Sequence, residues 1–401
     1  MQKIGKIRPS VVVLVALLIF GITLIFKYPS IPVFDQFFVK YRFDSGGFPL
    51  FADGLGLWYL AGLYNLIRQP PAELLNPEFK TIALLSYMVS GYFLARKVLK
   101  TEIFIILFSV LLFSSRLPFL WLSSELLCGT FLMLAVLSII SEWRPIVVGI
   151  VLAVLALLKP DMPLIALVLL LYYCFKVAKP KQWLKVCATF AFITIACVIP
   201  SLLVTPGQSL SRSFLAFAQH YTFVFRIHQV NHEYYNSWDD WPTFMKGIFP
   251  GANSMGEVIL NYPRKYLDAV VLMVVKSAIN FAKLHNFLLI IVGVRLWLWL
   301  KHRVVFSSFE RLTLLTFIGL IPIVAFAYLH IRYQARYYPL VVILCLGFVQ
   351  RLRSEGLSIK NQAWFSGGVW LALLFNLSTQ LYLFTRDVTS LQNRPYWWFP
   401  D

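Results

Sequence analysis

Long apolar stretches separated by short polar loops run through most of this chain. The pattern predicts an all-α polytopic membrane protein, with residues 1–401 forming a single integral membrane domain. Several stretches are shorter than the ~20 residues that cross the hydrocarbon core, so tilt or frayed ends must make up the difference. Eleven transmembrane helices are predicted, near residues 10–27, 79–96, 102–115, 119–140, 145–158, 162–176, 184–204, 285–300, 311–330, 337–350 and 362–384.

Basic residues recur in the short loops on one side of these predicted helices. Because short cytoplasmic loops carry an excess of Lys and Arg, we expect these loops and the N-terminus in the cytoplasm. No small-residue cleavage site follows the first apolar stretch, so it is expected to remain as a membrane helix. A bacterial plasma (inner) membrane is the expected location, and an endoplasmic-reticulum membrane of the same orientation is the alternative. The loops are Arg96/Lys97/Lys100, Arg144, Lys176/Lys179/Lys181/Lys185, Lys301/His302/Arg303/Arg311 and Arg351/Arg353/Lys360.

Two long segments fall on the outer face, at 28–78 and 205–284. The first contains LGLWYLAGLYNLI, which is too short to span and is expected to form an interfacial or re-entrant helix. The second ends in YLDAVVLMVVKSAINFAKL, which three charged residues interrupt. We expect an interfacial helix there, because a twelfth transmembrane helix would invert every later loop.

Composition supports the membrane assignment and excludes other classes. The chain is 59% hydrophobic and 13% charged, with mean hydropathy +0.73, whereas soluble proteins carry about 25% charged residues. The net charge of +18 is attributed to the cytoplasmic loops, and no nucleic-acid partner is expected. The five cysteines lie inside apolar runs without ligand spacing, so neither a disulfide framework nor a zinc site is expected.

Most acidic residues outside the termini gather on the predicted outer face, which indicates chemistry there. Asp35 follows the first helix closely among phenylalanines, where a carboxylate could have a raised pKa and act as a general base. Asp44 and Asp53 in the same loop are alternatives, and any of the three could be an ordinary solvated acid. The same face holds Glu125, Asp161, Glu233, Asp239, Asp240, Lys159, Arg332 and Arg336.

Structural roles are open for several of these residues. Arg332 and Arg336 could anchor lipid headgroups, Lys159 could pair with Asp161, and Glu125 could pair with Arg116. Arg295, within LLIIVGVRLWLWLK, is expected to extend toward the cytoplasm.

The second long loop raises the question of a metal. His228 and His232 have HxxxH spacing beside Glu233, but nothing else completes a zinc motif. Asp239 and Asp240 stand between two tryptophans and could bind a cation, contact a sugar or form a turn. No metal site or cofactor is expected; a divalent cation is possible but not indicated.

Four segments together resemble the GT-C superfamily of glycosyltransferases, which take sugars from polyprenyl-phosphate carriers. The first is the large outer loop with a membrane-proximal acid, although Gln36 follows Asp35 where an Asp-Glu pair is usual. The others are SSRLPFLWLSSELLCGTFLMLAVLSII, with Glu125 nine residues after Arg116; VLALLKPDMPLIALVLLL, with Pro160 where glycine is usual; and LHIRYQARYYPLVVILCLGFVQRLR. They are similar to segments of protein mannosyltransferase-like and aminoarabinose transferase-like members.

The resemblance implies inverting sugar transfer at the outer face, from a polyprenyl-phosphate sugar to a glycan, glycolipid or protein. Asp35 would be the base, with Asp44 its main rival. Lys159, Arg332 and Arg336 would hold the donor phosphate. Residues that would contact the acceptor or orient the cations are Glu125, Arg116, His228, His232, Asp239 and Asp240. A transporter or flippase for a lipid-linked or anionic substrate, and a non-catalytic scaffold, are the rival functions.

Overall fold

The computed structural model describes residues 7–27, 59–60, 63, 72–115, 123–159, 161–204, 208–226, 241–302, 304–324, 331–354 and 362–390. These residues contain helices and connecting turns and no strand, so the all-α prediction is confirmed for them. The helices are α1 (Pro9–Lys27), α2 (Ala72–Val98), α3 (Glu102–Ser114), α4 (Ser123–Ile140), α5 (Pro145–Leu158), α6 (Met162–Lys176), α7 (Pro180–Val204), α8 (Gln208–Arg226), α9 (Trp241–Ile248), α10 (Met255–Asn261), α11 (Pro263–His285), α12 (Leu288–His302), α13 (Ser308–Val324), α14 (Ile331–Gln334), α15 (Tyr338–Ser354) and α16 (Gln362–Ser390).

Each of the eleven predicted apolar segments overlaps a helix in the described residues, but fewer helices have the length and hydropathy of a membrane span. Three qualify among the described residues: α1, α7 over Pro180–Pro200, and α16 over Gly367–Arg386. The pair α11 and α12 qualifies together as a fourth, bent by 105°. Helices α3 to α6 and α15 are apolar but shorter. The structure therefore supports membrane helices and leaves the number eleven as a prediction.

Short apolar helices form the centre of the molecule. Helix α4 packs against α2 and α5, while α5 also packs against α6 and α7. Their side chains form one continuous core, in which Tyr87, Met133, Leu152 and Val342 are fully enclosed. In contrast, only 6% of the apolar stretch of α7, within Pro180–Pro200, is buried inside the protein. The core helices thus contact one another, and α7 presents apolar side chains outward.

The second long loop forms a small helical unit with its own core. Phe217 in α8 contacts the rings of Tyr221, Phe249 and Tyr266, with centroid distances of 5.7, 6.1 and 5.9 Å. Helix α11 joins this unit and then turns sharply into α12 at Asn286, which has φ = +30°. Because of the bend, α11 does not continue the direction of α12, and its interfacial position remains a prediction.

The described part of the first outer loop lies against α7. Tyr59 and Leu60, from the short aromatic piece, are helical, and the Tyr59 hydroxyl donates to the Cys197 carbonyl at 3.2 Å. Leu60 packs against the main core.

Contacts between helix ends join segments that the alternating assignment puts on the same face. Arg8, before α1, pairs with Glu102 at the start of α3, with 3.5 Å between Nη1 and Oε1. The Lys100 amide donates to Oε1 of Gln350, near the end of α15, at 3.0 Å. All four residues lie on the predicted cytoplasmic side.

Candidate functional site

Glu125 links two cations inside the protein. It lies in the first turn of α4, and its side chain has no solvent exposure. Its Oε1 accepts a hydrogen bond from Lys159 Nζ at 2.6 Å, and its Oε2 accepts one from Arg336 Nε. Three segments far apart in the chain therefore meet at one carboxylate.

Arg336 is the largest fully buried side chain among the described residues. It lies in a 3₁₀ turn, Ala335–Tyr337, between α14 and α15. Its Nε donates to Glu125 and its Nη1 to Asp161, whereas Nη2 has no described partner. This burial is inconsistent with the alternative that Arg336 is a lipid-headgroup anchor.

Lys159 and Asp161 come from the turn between α5 and α6. Lys159 has an extended backbone at the end of α5, and Asp161 occupies the N-cap position of α6 without capping it through its side chain. The Asp161 carboxylate binds Arg336 instead. Glu125, Lys159, Asp161 and Arg336 form what we call the charged cluster, which holds two cations and two carboxylates.

Exposure differs sharply within the charged cluster. The side chains of Glu125 and Arg336 are 0% exposed, whereas those of Lys159 and Asp161 are 14% and 19% exposed. A ligand approaching from outside would therefore meet Lys159 and Asp161 first. Arg336 is buried beneath these two residues and holds Glu125 and Asp161 in place.

Two aromatic residues extend the charged cluster toward the second long loop. The Tyr333 ring centroid lies 5.6 Å from Lys159 Nζ and 5.5 Å from Arg336 Cζ, within cation–π range. His220 of α8 contacts Tyr333, with 6.1 Å between ring centroids. Sequence reasoning did not select Tyr333, although it precedes Arg336 by one helical turn. Nothing in the sequence indicated that α8 would reach it.

A glycine lets the helices of the charged cluster approach closely. A Cβ atom at Gly129 in α4 would lie 2.6 Å from Tyr87 Cε2 and 3.4 Å from Arg336 Cα. Only a residue without a side chain fits this position without displacing the Tyr87 ring.

The other predicted site residues fall outside what the structure describes. The backbone of Arg332 belongs to α14, but its side chain is not among the described parts. Among the described residues, no group of three His, Cys, Asp or Glu side chains could hold a metal ion. The predicted residues that lie outside the described ranges are Asp35, Asp44, Arg116, His228, His232, Asp239 and Asp240.

A second set of ion pairs lies on the predicted cytoplasmic side. Arg295 does not reach solvent there: it is 2% exposed and pairs with Glu310, with 2.7 Å from Nε to Oε1. Arg351 binds the same carboxylate. Sequence reasoning missed this set, because the loop was recognised by its basic residues and Glu310 was not considered as a partner for Arg295 or Arg351.

Comparison of the chain with protein-family models, curated proteins and solved structures finds no match in any of the three.

Proposed function

We propose that this protein is an integral membrane glycosyltransferase that moves a sugar from a polyprenyl-phosphate carrier to an acceptor hydroxyl. The observation that carries the proposal is the charged cluster, which is built from three separate segments on the predicted outer face. The first outer loop, with its candidate base, is predicted on the same face.

Physical cost supports a functional origin for the charged cluster. Removing two carboxylates and two cations from water is expensive, and apolar replacements of buried ion pairs are often neutral or stabilising. Ionisable residues buried within the membrane-spanning part of a protein are rare and often mark sites where substrates or ions are handled. A set of four such residues is more than packing of these helices requires.

The charges match the needs of a polyprenyl-phosphate donor. When the bond between the anomeric carbon and the phosphate oxygen breaks, the phosphodiester monoanion becomes a phosphate monoester dianion. A fixed cation near that oxygen stabilises the added charge. Lys159, which is partly exposed, is the cation we assign to the phosphate, and Arg336 is a positioning residue that fixes Glu125 and Asp161. Arg332 remains a predicted second phosphate ligand.

A single base completes the reaction. The acceptor hydroxyl gives its proton to the Asp35 carboxylate while its oxygen attacks the anomeric carbon and the carrier phosphate departs. One displacement inverts the anomeric centre, and the departing phosphate needs no proton. Asp44 is the alternative base. Tyr333 and His220, beside the charged cluster, provide ring surfaces suited to sugar or acceptor contacts.

The agreement between helix-end contacts and predicted faces supports the alternation of helices on which the proposal rests, while which face lies outside stays a prediction. The charged cluster joins only residues predicted on the outer face, and the Arg8–Glu102 and Lys100–Gln350 contacts join residues predicted in the cytoplasm. The proposed enzyme is a multi-pass protein of the plasma membrane, with its N-terminus in the cytoplasm and its active site outside.

The test is sugar transfer in membranes supplied with radiolabelled polyprenyl-phosphate sugars. We expect Asp35→Asn to abolish transfer and Lys159→Met to lower kcat about 100- to 1,000-fold, as loss of a transition-state donor does. Lys181→Met, an exposed lysine on the opposite face, should leave transfer unchanged.

The outcomes separate the alternatives. If Asp35→Asn retains sugar transfer and Asp44→Asn loses it, the protein is a glycosyltransferase and Asp44 is its base. If no donor supports transfer, and the protein instead moves a lipid-linked sugar across vesicle membranes, the rival transporter or flippase function is correct.

A further inference from the structure

A groove lies between the end of α12 and the start of α13, on the face opposite the charged cluster. It is an open depression of about 470 Å³, lined by Trp299, Leu300, Val305, Phe306 and Arg311. Four of these five residues are apolar, and one is a cation. We call this feature the α12–α13 groove.

The base of the groove is held in place by the second set of ion pairs. Arg295 Cζ lies 4.6 Å from the centroid of the Phe306 ring, and that ring lies 5.1 Å from the ring of Trp299. Besides Glu310, Arg295 binds the carbonyls of Val304 and Val305 at 3.3 and 3.1 Å. The backbone of the connecting segment and the ring that forms the floor are thus fixed by one arginine.

Arg311 differs from the other arginines nearby. Arg295 and Arg351 both pair with Glu310, whereas Arg311 forms no ion pair with any residue that the structure describes. Its guanidinium donates to the Ser308 hydroxyl at 3.3 Å, and the residue is exposed. Among the described residues, a cation without a counter-charge therefore stands beside the apolar walls.

Those walls are unusually accessible. Leu300 and Val305 are 71% and 79% exposed, on either side of the turn that joins the two helices. Free phosphate would be held by Arg311 but would leave these apolar surfaces in water. A molecule that carries both an anionic phosphate and a hydrocarbon chain satisfies both parts of the groove.

We propose that the α12–α13 groove binds an anionic phospholipid from the adjacent leaflet. The phosphodiester contacts Arg311, and one acyl chain lies along Leu300, Val305 and Trp299. The alternating assignment puts the groove on the cytoplasmic face, where basic sites between membrane helices select anionic headgroups. This proposal requires only that the protein is in a membrane and does not depend on sugar transfer.

Native mass spectrometry of the full chain in detergent tests the headgroup contact. Purified protein is titrated with dioleoyl-phosphatidylglycerol or dioleoyl-phosphatidylcholine, and bound lipids are counted. We expect phosphatidylglycerol to bind preferentially, and Arg311→Gln to weaken its binding about fivefold, the effect of about one cation at an anionic surface. Lys181→Gln, an exposed lysine outside the groove, serves as the matched control and should bind as the wild type does.

Fluorescence quenching tests the acyl-chain contact. Phosphatidylglycerol with brominated acyl chains should quench the wild type more than Trp299→Phe, because bromine quenches indoles that it touches. Equal loss of lipid binding in Arg311→Gln and Lys181→Gln would overturn the proposal in favour of general surface charge. Full displacement of the lipid by inorganic phosphate, or no difference in quenching, would overturn the acyl-chain contact.

Discussion

Glu125 shows how one buried side chain can depend on distant parts of a sequence. It lies 34 residues from Lys159 and 211 residues from Arg336, and it binds both. The two cations bind different oxygens of the carboxylate, so neither takes the place of the other. A change at Glu125 therefore affects the electrostatics of the whole charged cluster.

Replacing Glu125 by Gln should destabilise the protein by about 3–5 kcal/mol. The substitution removes the negative charge that Lys159 and Arg336 share and leaves buried positive charge uncompensated. Glu142→Gln, at an exposed turn, should change stability by no more than about 0.5 kcal/mol. Denaturant unfolding in detergent micelles measures both. Equal stability of the two variants would contradict the view that Glu125 is an essential counter-charge.

The sequence pattern alone predicted that Glu125, Lys159 and Arg336 lie on the same face, because the alternation of helices determines which helix ends share a face. It did not predict that Arg336 would be enclosed by two carboxylates. The alternation of helices across the membrane predicts which side of the membrane a residue lies on. Which side chains form ion pairs depends instead on how the helices are arranged around one another. Tyr333 was missed for the same reason.

At the scale of helices, close approach depends on small residues at particular positions. Gly129 lies where α4 meets both Tyr87 of α2 and the backbone of Arg336, whereas a Cβ at Gly293 in α12 would meet nothing within 4 Å. Both glycines lie inside a helix, but Gly129 is buried and Gly293 is exposed.

Gly129→Ala and Gly293→Ala should change stability in opposite directions. At Gly129 the added methyl group collides with Tyr87, and we expect a loss of about 1–3 kcal/mol. At Gly293 it meets open space, so the better helix propensity of alanine should add about 0.5–1 kcal/mol. Thermal unfolding of both variants checks this, and stabilisation by Gly129→Ala would contradict the observed packing of α2 on α4.

Oxidative cross-linking tests the packing of α6 on α7. The Sγ atoms of Cys174 and Cys187 lie 3.8 Å apart, so a small approach would bring them to the ~2.05 Å of a disulfide. We expect copper phenanthroline to link them, as peptide mapping without reductant would detect. Cys187→Ser should abolish the link without Cys197 replacing it. A Cys174–Cys197 disulfide in that variant would show a different alignment of the two helices.

At the scale of the molecule, the sequence predicted the positions of the helices well and their environment poorly. Apolar runs located α3 to α6, but hydrophobicity alone did not show whether each side chain would face lipid or protein. Many of these side chains pack on one another in the main core. The helical unit formed by α8 to α11 was only partly foreseen, because its core comes from scattered aromatic residues rather than one apolar run.

Chemical labelling tests the sidedness of the whole chain. In a variant lacking the five native cysteines, Asn253→Cys in the second long loop should react with an impermeant maleimide in intact cells. Lys181→Cys should react only after the membrane is opened. Both positions are exposed, so access alone separates them. The reverse pattern would invert the orientation and move the charged cluster to the cytoplasmic face.

The separation of 211 residues between Glu125 and Arg336 also has a consequence for biosynthesis. At about 5–20 residues per second, the ribosome makes Arg336 roughly 10–40 s after Glu125. Until Arg336 is made, the charged cluster holds two carboxylates, Glu125 and Asp161, and one cation, Lys159. Chains that stop before Arg336 keep this excess of negative charge between the helices, a defect by which cellular degradation can distinguish them from finished protein.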